Sequence, residues 1–219
     1  MTGTMVLSRV DVIVDVVCPW CYIGKRRLEA ALAARAERDP PRLTWMPYQL
    51  KPDVPLGGID RRSYLEGKFG GAAGVQQFYD RVSEVGREVG IFFNFERIAR
   101  QPNTLDAHCL IAWAQAMSPA AASNLVEKLF RGYFVEGVDI GDRQELTRLA
   151  AAAGLDAYRA AAWLIAGNGR EGVMVADERA RRLGIAGVPL FIFNRRVMIS
   201  GAQPTSVLTD AMGQAARAE

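Results

Sequence analysis

The residues of this chain whose types and spacing most directly imply chemistry are Cys18-Pro19-Trp20-Cys21. Two cysteines three positions apart at the start of a helix lie one turn from each other, close enough to bridge. If Cys18 is the N-cap, Pro19 takes the first helical position, where its missing N–H costs nothing. The Cys18 thiolate then faces the positive end of the helix dipole and the free amides of Trp20 and Cys21. That arrangement lowers its pKa and makes Cys18 the attacking sulfur. Cys21, inside the first turn, is the expected resolving thiol. Three other readings compete. Half of a zinc site needs further donors, and His108 and Cys109 are adjacent on a helix and point about 100° apart. Two buried free cysteines leave the proline at the helix start unexplained. An inert disulfide is disfavoured in a reducing compartment.

Gly187-Val188-Pro189 is the second element that could carry chemistry. A proline opening a strand implies a cis bond or an edge position. It is either a strand start without a role or a cis-proline loop packed against the cysteine pair. In the second case the backbone of Val188 is free to pair with an extended substrate strand. Asp15, three residues before Cys18, either accepts the proton of Cys21 or ends the first strand in solvent, and its charge would oppose the helix dipole. His108, the only histidine, either lines the cleft beside the thiols or is a polar spot on a helix. Trp20 is expected at the exposed rim of the site. Cys109 has no partner at motif spacing and reads as packing. Lys25, Arg26 and Arg27 read as a solvated helix face, although Lys25 is close enough in sequence to favour a thiolate. Trp45, Trp113 and Trp163 read as core.

The elements that must position these residues follow from periodicity. Residues 10–17 are β-branched and predict a strand. The helix after it carries Trp20, Gly24, Leu28, Ala31 and Leu32 on one face and stops at Asp39-Pro40-Pro41. A second strand runs from Arg42 to about Tyr48, ending near Pro47, so the first fifty residues form a βαβ unit with a parallel pair. From Arg61 to Ala166 the pattern is helical with almost no strand signal, and it predicts about five helices. Asn103 is the expected N-cap of one of them, with Asp106 in its first turn. Further on, Val173, Ala176, Ala180 and Leu183 share a helix face closed by Gly184. Pro189–Phe193 and Val197–Gly201 form a hairpin around Asn194-Arg195. A last helix follows Pro204, with Val207, Leu208, Ala211, Met212 and Ala215 on one side. This is the order of an α/β thioredoxin fold with a large all-helical insertion. Residues 1–55 and 168–219 make the thioredoxin-like domain, and 56–167 make the inserted helical domain.

Composition bounds what this architecture can do. The chain has 219 residues, half of them hydrophobic, with 27 basic and 24 acidic side chains. A net charge of +3 is too small for a nucleic-acid binder built on charge. One histidine excludes a multi-histidine metal site, and three cysteines do not make a secreted disulfide framework. Asp11 and Asp15 interrupt the apolar run near the N-terminus, so no secretory signal is read there. No window reaches the roughly 18 apolar residues of a membrane span. The expectation is a cytoplasmic protein without nucleic-acid or membrane partners.

With these motifs in hand the chain resembles a known family. Cys18-Pro-Trp-Cys-Tyr-Ile-Gly-Lys-Arg-Arg, Asn103-Thr-Leu-Asp-Ala-His and Gly184-Ile-Ala-Gly-Val-Pro189, followed by Ser200-Gly-Ala-Gln-Pro204, look like the DsbA-like thioredoxin-fold family, FrnE-type branch. The resemblance spans nearly the whole chain. It implies a dithiol/disulfide oxidoreductase in which Cys18 attacks, Cys21 resolves and Pro189 is the cis-proline. Trp20 stands where periplasmic relatives typically have histidine, so strongly oxidising behaviour is not implied. The superfamily also includes kappa-class glutathione transferases and hydroxychromene-carboxylate isomerases, which typically carry serine at the position of Cys18. Both cysteines favour redox chemistry, while the Asn103–His108 segment, similar to the isomerase branch, keeps a small-molecule activity open. The resemblance thus adds Asn103 and His108 to Trp20, Val188 and Pro189 as expected substrate-binding residues. It implies no required cofactor and no metal, with glutathione as a candidate redox partner or cosubstrate. The expected partner is a protein or small molecule bearing a thiol or disulfide.

Overall fold

A computed structural model describes residues 6–35 and 40–217. The sheet is built first from β1 (Arg9–Val14) and β2 (Arg42–Pro47), which run parallel with Val12 opposite Trp45, joined by α1 (Pro19–Ala33). β1 then pairs antiparallel with β5 (Leu190–Phe193), and β5 with β6 (Val197–Ser200), giving the order β2-β1-β5-β6. The central strands β1 and β5 are apolar because both their faces are covered. Val10, Val12, Phe191 and Phe193 are fully buried. β2 lies at an edge, where a proline at its end costs no ladder bond. The expected first strand is shorter at its end, because residues 15–18 form a turn closed by the Cys18 amide on the Asp15 carbonyl at 3.0 Å.

Between the strand pairs lie six helices: α2 (Arg61–Phe69), α3 (Ala72–Glu88), α4 (Leu105–Met117), α5 (Pro119–Arg131), α6 (Arg143–Ala152) and α7 (Ala157–Ile165). The expected count was about five. The Gly70-Gly71 break, both residues at positive φ, separates α2 from α3 as two helices. A two-residue ribbon of β3 (Ile59–Asp60) and β4 (Arg100–Gln101) ties the start of α2 to the segment before α4, a pairing too short for a sequence signal. α5 runs into a π-helical turn, Gly132–Glu136, ended by Gly137 at φ 75°. A Cβ there would stand 2.5 Å from Arg97 Cβ, so the chain passes only with glycine. Tyr22 of α1 stacks on Phe130 of α5 with centroids 5.1 Å apart, and Phe93, Phe95 and Phe134 extend this aromatic cluster.

The chain returns through α8 (Arg170–Arg182) and ends with α9 (Thr205–Arg217). Asn194 and Arg195 make the two-residue hairpin turn at φ 47° and 60°, the primed geometry that matches strand twist. Three sequence expectations are corrected. α1 ends at Ala33, before Asp39-Pro40-Pro41, because the Arg35 amide turns back to Leu32. The N-cap of α4 is Thr104, while Asn103 Oδ1 accepts from the Leu105 amide at 2.9 Å. Leu183 lies beyond the end of α8 and is exposed, and Asp177 takes a buried place on that helix. The last helix buries Leu208, Ala211, Met212 and Ala215 as its spacing implies, with Val207 at the margin.

Candidate functional site

Cys18 is the N-cap of α1 and Pro19 its first residue, as the spacing requires. The first turn is tight. The Cys21 amide donates to the Cys18 carbonyl at 3.0 Å, so of the two amides expected to be free, that of Cys21 is engaged. Cys18 is 5% exposed and Cys21 fully buried. The two thiols are free and lie within hydrogen-bond reach of each other. Burial, and then the neighbouring Cys18, push the Cys21 thiol well above the usual range. The inner sulfur of the pair is therefore held as a thiol.

The Val188–Pro189 peptide is cis, and the Val188 carbonyl accepts from Cys18 Sγ at 3.7 Å. The loop thus packs on Cys18 through the backbone oxygen of Val188. Its seat is made by Gly24 of α1, where a Cβ would stand 2.9 Å from Pro189 Cγ and 3.0 Å from Phe191 Cζ. The missing side chain lets α1 approach β5 and fixes the height of the loop over the cysteines.

Behind the pair lies a buried polar layer. Asp15 is fully buried; its Oδ2 accepts from the Leu50 amide at 2.7 Å, and its Oδ1 lies 3.4 Å from His108 Nε2. Asp15 therefore does not end its strand in solvent. Its backbone and its charge both act on Cys21, the charge raising it. His108 is packed on this carboxylate beneath the thiols and does not line their cleft. Asn103 does not line the cleft either. Its Nδ2 donates to the Val54 carbonyl at 2.6 Å and its Oδ1 accepts from Gln49 Nε2 at 3.3 Å, which holds the segment after β2. Asp177 of α8 anchors the same segment by accepting from the Gln49 amide at 2.8 Å, and Arg181 donates to Asp177 at 2.9 Å.

In front of the pair a cleft of about 290 Å³ opens between the first turn of α1, the Gly187-Val188 loop and α2. Cys18, Trp20 and Val188 line it, whereas Cys21, Asn103 and His108 do not. Trp20 is half-buried with the Arg81 guanidinium 5.7 Å from its ring, so the rim is more covered than the sequence implied. Sequence reasoning missed the opposite wall: Arg61, Tyr64, Lys68 and Phe69 of α2, with Phe78 of α3. No motif marks them, since nothing in the sequence sets Arg61 apart from the other arginines.

Lys25 is also placed differently from expectation. It is 2% exposed, and its Nζ donates to Glu127 of α5 at 2.6 Å as well as to Glu29. Arg26 joins it on Glu127, and Tyr22 donates its hydroxyl there at 2.9 Å. The helix face read as solvated is a charged clamp onto the inserted helices. Burial and Glu127 together push Tyr22 up to about 12. Cys109 is buried as expected, its thiol pushed up to about 12 by burial and by the charge of Asp106. Trp45 and Trp113 are buried, and Trp163 is half-buried with its ring 6.1 Å from that of Trp113.

This arrangement has recognisable relatives. A probable DsbA oxidoreductase from Streptomyces coelicolor has the same fold with a TM-score of 0.85 and 31% identity, over 94% of this chain and 89% of that one. The 2-hydroxychromene-2-carboxylate isomerase structure is similar in fold, with a TM-score of 0.69 and 17% identity over 95% and 96% of the two chains. The uncharacterized protein YwbO of Bacillus subtilis (strain 168) is 26% identical over 142 residues, 65% of this chain, and the chain spans 64% of the length of YwbO. The model of the DSBA-like thioredoxin domain matches residues 9–213, and the chain therefore belongs to the DSBA-like thioredoxin domain family.

Proposed function

We propose that the protein is a thiol-disulfide oxidoreductase whose working groups are Cys18 and Cys21. One observation carries the reading. Two free thiols touch at the N-terminus of α1, one facing a cleft and the other sealed behind it. In the reducing direction the Cys18 thiolate attacks one sulfur of a substrate disulfide. A Cys18–substrate bond forms and the first substrate thiolate leaves. Cys21 then loses its proton and attacks Cys18 Sγ, the second substrate thiolate departs, and two electrons have passed from the protein to the substrate. Asp15 is the candidate acceptor of the Cys21 proton, being buried close enough for its charge to act on that thiol. Val188, whose carbonyl meets Cys18, borders the place of the substrate sulfur together with Trp20, and Pro189 follows it through the cis bond. Cytosolic reductants, glutathione among them, would return the pair to the dithiol. The Streptomyces relative, described as a probable DsbA oxidoreductase, supports the reaction class.

The test is adduct trapping. In Cys21→Ser, incubation with a disulfide substrate should accumulate a mixed disulfide on Cys18, readable by intact mass. Cys18→Ala should lose turnover by at least about a hundredfold. Full turnover in Cys18→Ala, with no adduct in Cys21→Ser, would overturn the reading. Because the cleft opens on Cys18 and not on Cys21, a second reading is a glutathione-using isomerase or transferase. Activity that survives loss of Cys21, together with glutathione binding, would favour it.

A further inference from the structure

The wall of the cleft opposite the cysteines carries a buried guanidinium, Arg61, that makes no ion pair among the described residues. Arg61 is 3% exposed. Its described hydrogen bonds go to neutral acceptors, Gln101 Oε1 at 3.1 Å and the Tyr133 hydroxyl at 2.6 Å, and its Nε has no partner. No carboxylate lies within ion-pair distance of it among the described residues. Tyr133 does not supply the missing charge, since burial outweighs the effect of Arg61 and keeps its hydroxyl protonated. A buried guanidinium without a counter-charge is costly. Lys25, also buried, has two carboxylates. Arg61 lines the cleft, and Lys68, about two turns along the same helix, lines it too, while no Asp or Glu among the described residues does. The rest of the lining is mostly apolar, with Leu50, Leu65 and four aromatic rings. Trp20 lies on the cysteine side, and Tyr64, Phe69 and Phe78 face it, with Phe69 and Phe78 stacked at 4.4 Å.

We infer that this cleft selects small disulfides that join a carboxylate to an aromatic body, with Arg61 and Lys68 receiving the carboxylate. The inference rests on the redox reading of Cys18 and Cys21 and names the substrate class of that site. Volume argues for a small molecule over a protein chain, because about 290 Å³ is at the lower end of ligand pockets. The guanidinium has donors left over after Gln101 and Tyr133, and a carboxylate is the acceptor that matches them. The exchange steps are those already given, with the anionic aromatic thiolate leaving in each.

The experiment compares two aromatic disulfides with the reduced full-length protein. Dithiobis(nitrobenzoate) carries a carboxylate on each ring, and dithiodipyridine carries none. The readout is the ratio of their exchange rate constants, in which any general change in Cys18 reactivity cancels. Arg61→Gln should lower this ratio about tenfold, the scale of one charge-assisted hydrogen bond. Lys68→Gln, on the exposed face of its helix, should lower it about threefold. An unchanged ratio in both variants overturns the inference and leaves the redox reading intact. If Arg61→Gln does not fold, an unchanged ratio in Lys68→Gln is sufficient to overturn it. Should the wild-type protein react with neither disulfide faster than Cys18→Ala, the redox reading fails and this inference falls with it.

Discussion

At the residue scale the site depends on unequal burial of two like groups. Cys18 touches the cleft and Cys21 does not, so the pair has an outer and an inner sulfur before any partner arrives. The inner one needs somewhere to send its proton, and Asp15 is the buried carboxylate beside it. Asp15→Asn keeps the acceptor for the Leu50 amide while removing the base. Resolution of the mixed disulfide by Cys21 is expected to slow by about a hundredfold in this variant, while the first attack by Cys18 changes far less. Stopped-flow separation of the two steps checks it, and equal slowing of both would contradict it. Cys109 gives a different, thermodynamic readout. Its thiol is raised from 9.0 to about 12, so between those values the native state keeps a proton that the unfolded chain has lost. Its contribution is complete below about pH 9 and is lost as pH rises towards 12, with a slope of up to about 1.4 kcal/mol per pH unit. Denaturant unfolding of the reduced protein across that range should show a shallower decline in Cys109→Ala. Cys21, Tyr22 and Tyr133, also raised, contribute to the decline that remains.

At the element scale the site is a meeting of α1 with the loop before β5, and Gly24 sets the distance. Gly24→Ala places a methyl 2.9 Å from the Pro189 ring, which must shift along with Phe191. Such overpacking costs about 1–3 kcal/mol, or several degrees of melting temperature in a domain of this size. Disulfide exchange should slow as well, because the displaced loop carries the Val188 carbonyl that meets Cys18. A variant with unchanged melting temperature and rate would show that the close approach has no function. These elements differ in how readable they are. The strands of the main sheet, α1, the hairpin and α9 follow from the apolar pattern, the central strands because both faces are covered and the two helices because each buries one face. Pro19 and Pro189 mark the start of α1 and of β5 because proline fits few places. The roles of Lys25 and Asp177 are not readable, because their partners Glu127 and Gln49 are 102 and 128 residues away. A charged residue on a helix looks solvated until another element is brought against it. Arg61 is hidden for the same reason.

At the scale of the whole molecule, the inserted helices do more than enlarge the core. α2 and α3 form the far wall of the cleft, α5 clamps α1 through Glu127, and α4 brings His108 under Asp15. The thioredoxin-like part supplies the sulfurs and the proline loop, and the insertion supplies the surface that would choose a substrate. This division explains why the cysteine pair stands out in four consecutive residues while the opposite wall does not. The claim beneath all of it is that Cys18 and Cys21 interconvert between dithiol and disulfide. The direct measurement is equilibration of the protein in glutathione buffers of graded potential, followed by alkylation and intact mass. The expected result is a single two-electron transition in which Cys18 and Cys21 lose two hydrogens together while Cys109 stays a thiol, and which disappears in Cys18→Ala and Cys21→Ala. A pair that stays reduced at every potential, or a disulfide that involves Cys109, would contradict the account.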